Sequence, residues 1–277
     1  MRNITHLMSL LMLFAALSLS AQEKQHTAQA NVQVLETQFT IPGLDRQRTL
    51  RLYLPPGYAD SDKSYPVMYM HDAQNLFDDA TSFVGEWGVD EHLNALAATG
   101  ELELIVVGID NGQEHRNTEL IPWANERMGD PEGEEYLKFI VEVVKPYIDK
   151  NYRTLTDREN TAIMGSSLGG LISHYAIYAY PEVFSKAGIF SPSYWVSEEV
   201  FAHTEENPVP DDSRLYLLVG KQEGRGMVAP MKKMYAHIKK LGHPEENIRS
   251  KINPEGKHNE AFWRSEFPQA VKWLFNQ

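Results

Sequence analysis

Residues 161–170 read TAIMGSSLGG. The run 161–164 is short and apolar, as a buried strand requires, and 168–180 (LGGLISHYAIYAY) carries its apolar residues at helical spacing. Between them, Gly165-Ser166-Ser167-Leu168-Gly169 fits G-x-S-x-G. In that pattern a serine sits on a sharp strand-to-helix turn, and glycines two residues to either side let the backbone crowd together. Only Ser167 has glycine at both flanks, so the pattern selects it over Ser166. The same residues also suit a tight turn that merely packs a helix on a strand. The strand before and the helix after favour the nucleophile reading.

Working outward, alternating residues bounded by Pro-Gly turns predict strands over 31–39 and 48–54, an opening antiparallel pair. Continuous apolar runs at 65–70 (YPVMYM), 104–109 (LIVVGI), 187–190 and 214–219 (RLYLLV), followed by 247–252, predict strands of a mostly parallel, buried sheet. Helices are expected over 89–98, 134–151, 168–180, 227–241 and 261–275, with Pro146 bending or shortening its helix and a short helix at most over 197–210. The loop 110–130 is long and polar, and loops of that length in compact domains usually serve function or move. Strand–helix alternation implies right-handed βαβ units. The expected class is therefore α/β, a mostly parallel central sheet with an antiparallel N-terminal strand pair and helices on both faces. No repeat, low-complexity tract or linker divides 31–277, which reads as one domain.

The chain has 277 residues, 42% hydrophobic, enough for one large core. Arg2 precedes an apolar stretch at 7–19 that is short for a bilayer span of about 20 residues. Small residues follow, so 1–21 reads as a cleaved secretory signal and polar 22–30 as a flexible leader. No second apolar stretch is long enough to anchor the protein, and with no cysteine neither a disulfide nor a lipidated thiol is available. Export to a bacterial periplasm or exterior is the expectation. Net charge is −12; without residues 1–21, which hold one arginine and no acid, 25 basic and 38 acidic residues leave −13. Nucleic acid is not expected as a partner, since nothing supplies the basic surface that phosphates require. Oligomeric state is not legible.

A serine hydroxyl becomes a good nucleophile only when a base takes its proton, and the base needs an orienting acid. In the order that accompanies this elbow, both follow the serine, acid first. His174 lies on the elbow's own helix, expected to pack or face solvent; His203 lacks a strand end to place it; His237 and His243 belong to a helix and its glycine end. His258 alone follows the last core strand, at the C-terminal end where α/β sites assemble. Glu223 falls just past the strand 214–219, whereas Asp211 and Asp212 precede it at the wrong end. Asp72 belongs to the polar loop 71–75, where an oxyanion hole is expected. One donor of that hole is the Leu168 N–H; the other comes from Ala73 or Gln74. Among aromatics at loops or element ends, Trp87, Trp123, Tyr194, Trp195, Phe262 and Trp263 suit a pocket lining or the core equally well. There is no H-E-x-x-H, cysteine pair or P-loop, so neither a metal nor a cofactor is expected.

With those residues located, the chain resembles the esterase D-like family of α/β hydrolases, which includes feruloyl and acetyl-xylan esterases, enterobactin-type trilactone esterases and mycolyltransferases. The resemblance runs from about Arg48 onward, through YPVMYMHDAQNLFD (65–78), EWGVDE (86–91), VGIDNGQEHRNTELIPW (107–123), GSSLGGLISHY (165–175), SPSYW (191–195), VGKQEG (219–224) and KHNEAFWRSEFPQAVKWLF (257–275). It implies an α/β-hydrolase fold, Ser167 as nucleophile, Glu223 as acid and His258 as base. It also implies the Gln74 and Leu168 amides as oxyanion donors, and Arg116 as a residue contacting substrate. Ala73 departs from the family's H-D-G-Q-N, which is compatible only if the backbone there stays open to L-residues. The expectation is an exported serine esterase working through an acyl-enzyme, with acetyl or feruloyl esters of carbohydrates as substrate. A siderophore trilactone is the alternative substrate and an acyltransferase the alternative chemistry. A non-catalytic carbohydrate-binding module is the alternative of another class, and would not need Ser167, Glu223 and His258.

Overall fold

The apolar runs become the middle of one sheet. In the computed structural model, which describes residues 24–275, β5 (Val67–His71), β6 (Ile105–Ile109), β7 (Thr161–Ser166), β8 (Lys186–Phe190), β9 (Arg214–Gly220) and β10 (Ile248–Asn253) run parallel. Two antiparallel strands, β1 (Val32–Val34) and β4 (Leu50–Tyr53), complete the order β1-β4-β6-β5-β7-β8-β9-β10. The predicted strand 31–39 is in fact two: β1 pairs with β4, while β2 (Phe39–Ile41) forms a separate hairpin with β3 (Arg46–Arg48). The expected export signal, 1–21, lies outside the described residues.

Strand alternation assigns the faces. Met68, Met70, Val106, Ala162, Met164, Tyr216 and Leu218 point to one side, where α1 (Val89–Ala98) and α8 (Glu260–Phe275) bury Leu93, Leu96, Phe267 and Val271. Val67, Tyr69, Val107, Ile163, Leu215 and Leu217 point to the other, against the helical segment 133–151, α5 (Leu168–Ala179) and α7 (Arg225–Lys240). Each buried side chain of this size contributes about 1.5–3 kcal/mol, so no single residue holds the sheet. Segment 133–151 comprises α3 (Gly133–Lys138), a π-helical stretch Phe139–Val144 and α4 (Lys145–Asn151). Pro146 falls in the first turn of α4, where a missing N–H is tolerated. Two shorter helices are α2 (Arg116–Glu119) and α6 (Glu199–Glu206).

Residues 24–30, expected as flexible leader, are instead tied down. The Lys24 ammonium donates to Ser82 O at 2.7 Å, His26 Nδ1 meets Asp78 Oδ2 at 2.7 Å, and the Thr27 and Gln29 N–H groups donate to Asp78 and Asp90. Polar composition misled here because the partners are polar too. Among the described residues, no helix is long and apolar enough to cross a membrane.

The turn from β7 into α5 shows why glycine recurs there. A Cβ on Gly165 would lie 2.8 Å from the Gly169 carbonyl, and one on Gly170 would lie 2.5 Å from Phe190 O. A Cβ on Gly169 would meet nothing closer than 3.4 Å. The second position with no room for a side chain is thus Gly170, one residue beyond the five-residue motif, rather than Gly169. Gly170→Ala should lower stability by about 1–3 kcal/mol, whereas Gly169→Ala should change it by less than about 1 kcal/mol. Urea unfolding of both variants checks this; equal losses would contradict it.

Candidate active site

Ser167 joins β7 to α5 with φ 60° and ψ −120°, a conformation that L-residues seldom adopt. The surrounding backbone holds it there: its N–H donates to Phe190 O at 3.0 Å, and its C=O accepts from Ser193 N and Leu171 N. The strain places Ser167 at the head of the turn, lining a cavity of about 870 Å³ beyond the C-terminal ends of the parallel strands. His71, Asp72, Gln74, Trp87, Arg116, Ser166, His258, Glu260 and Trp263 line it with Ser167. Its Oγ lies 3.4 Å from Ser193 Oγ.

His258 Nδ1 lies 2.7 Å from Glu223 Oε2. The Glu223 side chain is fully enclosed while that of His258 is 38% exposed, so the acid is fixed and the imidazole reaches the cavity. Two neighbours hold the acid: Gly220 N–H and Ser191 Oγ–H both donate to Glu223 Oε1, at 2.6 and 2.7 Å. Ser191 in turn accepts from Trp263 Nε1 at 2.9 Å, and the Trp263 ring meets the His258 ring edge-on at 5.0 Å. The loops after β9 and β10 meet because Gly220 and Gly256 pack backbone to backbone, with the Gln222 N–H donating to Gly256 O. Ser191 is buried with φ 43°, and no sequence motif marks it as a site residue. Its only sequence trace is its place in SPSYW.

The loop after β5 is held as firmly. Asp72 takes φ 58° at the start of a one-turn 3₁₀ helix, Ala73–Asn75. Arg116 Nε and Nη2 donate to its two oxygens at 2.5 and 2.8 Å, and Asn111 Nδ2 donates to Oδ1 at 2.7 Å. Burial pushes the Asp72 carboxyl up, but Arg116, Asn111 and His71 together outweigh it, and the net position is below the usual value. The Gln74 carboxamide bridges to Asn111, and Gln74 O accepts from Thr81 Oγ1. Ala73 is buried in helical, not positive-φ, backbone, so its methyl group imposes no strain. Gly108 makes room for it: a Cβ there would sit 2.8 Å from Ala73 Cβ. Leu168 opens α5 and Gln74 lies in the first turn of its own helix, where N–H groups have no intrahelical partner.

Of the residues expected to contact substrate, only Arg116 lines the cavity, and its Nε and Nη2 are taken by Asp72. Trp123 is absent from the lining and packs edge-on against Tyr175 and His203. Trp195 is 44% exposed and likewise outside the lining. His174 is fully buried between Tyr194 OH and Thr204 Oγ1, each 2.9 Å away.

These observations meet a family-level match. Residues 41–274 fit the model of the Esterase family, described as "Putative esterase". The chain belongs to that esterase family. Among curated relatives, the uncharacterized protein YbbA of Bacillus subtilis is 27% identical over 243 residues, 83% of this chain and 93% of its own. The iron(III) salmochelin esterase of Escherichia coli O6:H1 is 29% identical over 209 residues, covering 69% of this chain and 46% of that one. Among solved structures, a feruloyl esterase module from Clostridium thermocellum, complexed with sinapinate, superposes with TM-score 0.67 at 18% identity, covering 89% of each chain. At that identity the likeness is one of fold alone, a mostly parallel sheet with helices on both faces.

Two buried histidines give this esterase an acid limit. Burial lowers His71, with Arg116 adding to the effect, to about 4, and burial lowers His174 to about 3. Unfolded, both would take up protons near 6.5, so the stability of keeping them neutral is present above that pH and lost as pH falls towards 4. The urea midpoint should therefore fall between pH 6.5 and 4, less steeply in His174→Asn. Parallel pH profiles for wild type and variant would contradict this.

Proposed function

We propose that this esterase hydrolyses carboxylic esters through an acyl-enzyme on Ser167. The observation that carries the reading is that the Glu223–His258 pair, 2.7 Å apart, opens onto the same cavity as the positive-φ Ser167. His258 takes the Ser167 proton as Oγ attacks the ester carbonyl, and Glu223 fixes the imidazole tautomer and supports its positive form. The Leu168 and Gln74 N–H groups receive the oxyanion. His258 then protonates the leaving alcohol, and in the second half-reaction deprotonates the water that releases the acid. Arg116 serves this step from behind: its pairing with Asp72 pins the turn that carries the Gln74 amide. We also propose export from the signal-like residues 1–21, with 31–277 as the catalytic unit.

For substrate we favour acetyl or feruloyl esters of carbohydrate. Phe83, Trp87 and Trp263 offer the cavity aromatic surface, and its lining holds more acidic side chains (Asp72, Glu114, Glu260) than cationic ones (Lys24, Arg116). That balance suits a neutral ester better than an anionic ferric catecholate. The salmochelin esterase relative supports the siderophore ester as second reading. A binding module without catalysis would leave the Ser191–Glu223–His258 chain without a purpose.

The mature protein should hydrolyse p-nitrophenyl acetate and methyl ferulate faster than a linear catecholate–serine ester. Ser167→Ala should lose at least about 10³-fold in kcat, and Glu223→Gln about 10²–10⁴-fold. Retained activity in Ser167→Ala would refute the assignment; preference for the catecholate ester would select the siderophore reading. Ser191→Ala, which removes one hydrogen bond to the acid, should lower kcat about 3–10-fold with KM unchanged. A change confined to KM would show that Ser191 acts on substrate.

A further inference from the structure

Away from the cavity floor, the stretch EWGVDE gathers three acids that the esterase chemistry does not use. Glu86 precedes α1, and Asp90 and Glu91 lie in its first turn. Each presents a carboxylate oxygen within 4.8 Å of the others. Glu86 and Asp90 are buried. One oxygen of each acid is accounted for. Glu86 Oε1 faces Arg264 Nη1 at 3.8 Å, Asp90 Oδ2 accepts the Gln29 N–H at 2.8 Å, and Glu91 Oε1 lies 3.4 Å from Gln29 Nε2. The oxygens left over, Glu86 Oε2, Asp90 Oδ1 and Glu91 Oε2, are all enclosed and have no hydrogen-bond partner.

We propose that Glu86, Asp90 and Glu91 bind a divalent cation of the calcium class. Enclosed carboxylate oxygens without donors are costly, and three acids against one arginine are short of positive charge. A set made only of oxygen selects a hard cation, and a spread of up to 4.8 Å suits Ca²⁺, whose ligands stand about 2.3–2.6 Å from the ion. Mg²⁺, at about 2.0–2.1 Å, demands a tighter set. The ion would staple segment 24–31 to α1, because Gln29 already bonds both Asp90 and Glu91. The competing arrangement is a shared proton, which binds no metal.

EDTA-treated full-length protein is titrated with CaCl₂ and MgCl₂ while thermal unfolding and binding heat are followed. Three carboxylates give an expected Kd of about 10⁻⁴–10⁻³ M, so about 5 mM Ca²⁺ should raise Tm by about 2–8 °C, with a smaller rise from Mg²⁺. In Glu91→Gln the shift should vanish, while ion-free stability rises through relieved repulsion and ester hydrolysis is kept. Should that variant fail to fold, Tb³⁺ bound to wild type and sensitised by the adjacent Trp87 should luminesce and be displaced by Ca²⁺. The proposal is overturned if wild type shows neither heat nor a Tm shift up to about 10 mM of either ion. An undiminished shift in Glu91→Gln, or Tb³⁺ emission that Ca²⁺ does not quench, would also overturn it.

Discussion

Backbone-to-backbone contact at the end of β7 governs this molecule. Gly165 touches the Gly169 carbonyl, Gly170 touches Phe190 O, and the Ser167 N–H donates to that same oxygen. With no side chain intervening, α5 leaves the sheet at an angle that forces Ser167 to φ 60°. The cost of that conformation, on the order of 1–3 kcal/mol, is offset by α5, whose residues from Leu168 to Tyr178 are buried. Strain at Ser167 is thus supported by a helix that is buried along nearly its whole length.

Around that turn, polar groups are fixed in pairs that each use a buried partner. Glu223 is held by Gly220 and Ser191 before it meets His258, and Asp72 by Arg116 and Asn111 before its turn presents Gln74. The β2–β3 hairpin contributes from outside the sheet. Arg46 pairs with Glu119 and Glu132, and Arg48 with Glu119, which anchors the loop carrying Arg116. The result is a cavity whose walls are preorganised by hydrogen bonds and whose floor is a rigid strand-to-helix turn.

Much of this was legible in the sequence, for identifiable reasons. Buried parallel strands are continuous apolar runs, so β5, β6, β7 and β9 stood out and their order fixed the C-terminal rim. Glu223 and His258 each follow a strand's C-terminal end in the sequence order, and in the structure their side chains lie 2.7 Å apart. What escaped was whatever depends on long-range polar contact. Ser191, buried and hydrogen-bonded to Glu223 across 32 residues, leaves no local pattern. Segment 24–30 looked like solvated leader because its anchors are Asp78, Ser82 and Asp90 rather than an apolar face. Trp123 and Trp195 have no sequence feature that separates them from pocket aromatics; in the structure Trp123 packs on Tyr175 and His203, and Trp195 is exposed.

The central claim is that one serine, held in a strained turn, forms a covalent acyl intermediate. The most direct measurement is tandem mass spectrometry of the protein after reaction with a fluorophosphonate, with the modified residue located by peptide fragmentation. The account predicts a single adduct on Ser167, formed at one equivalent and absent after unfolding. An adduct on Ser166, Ser191 or Ser193, or full ester hydrolysis by protein that takes up no label, would contradict it.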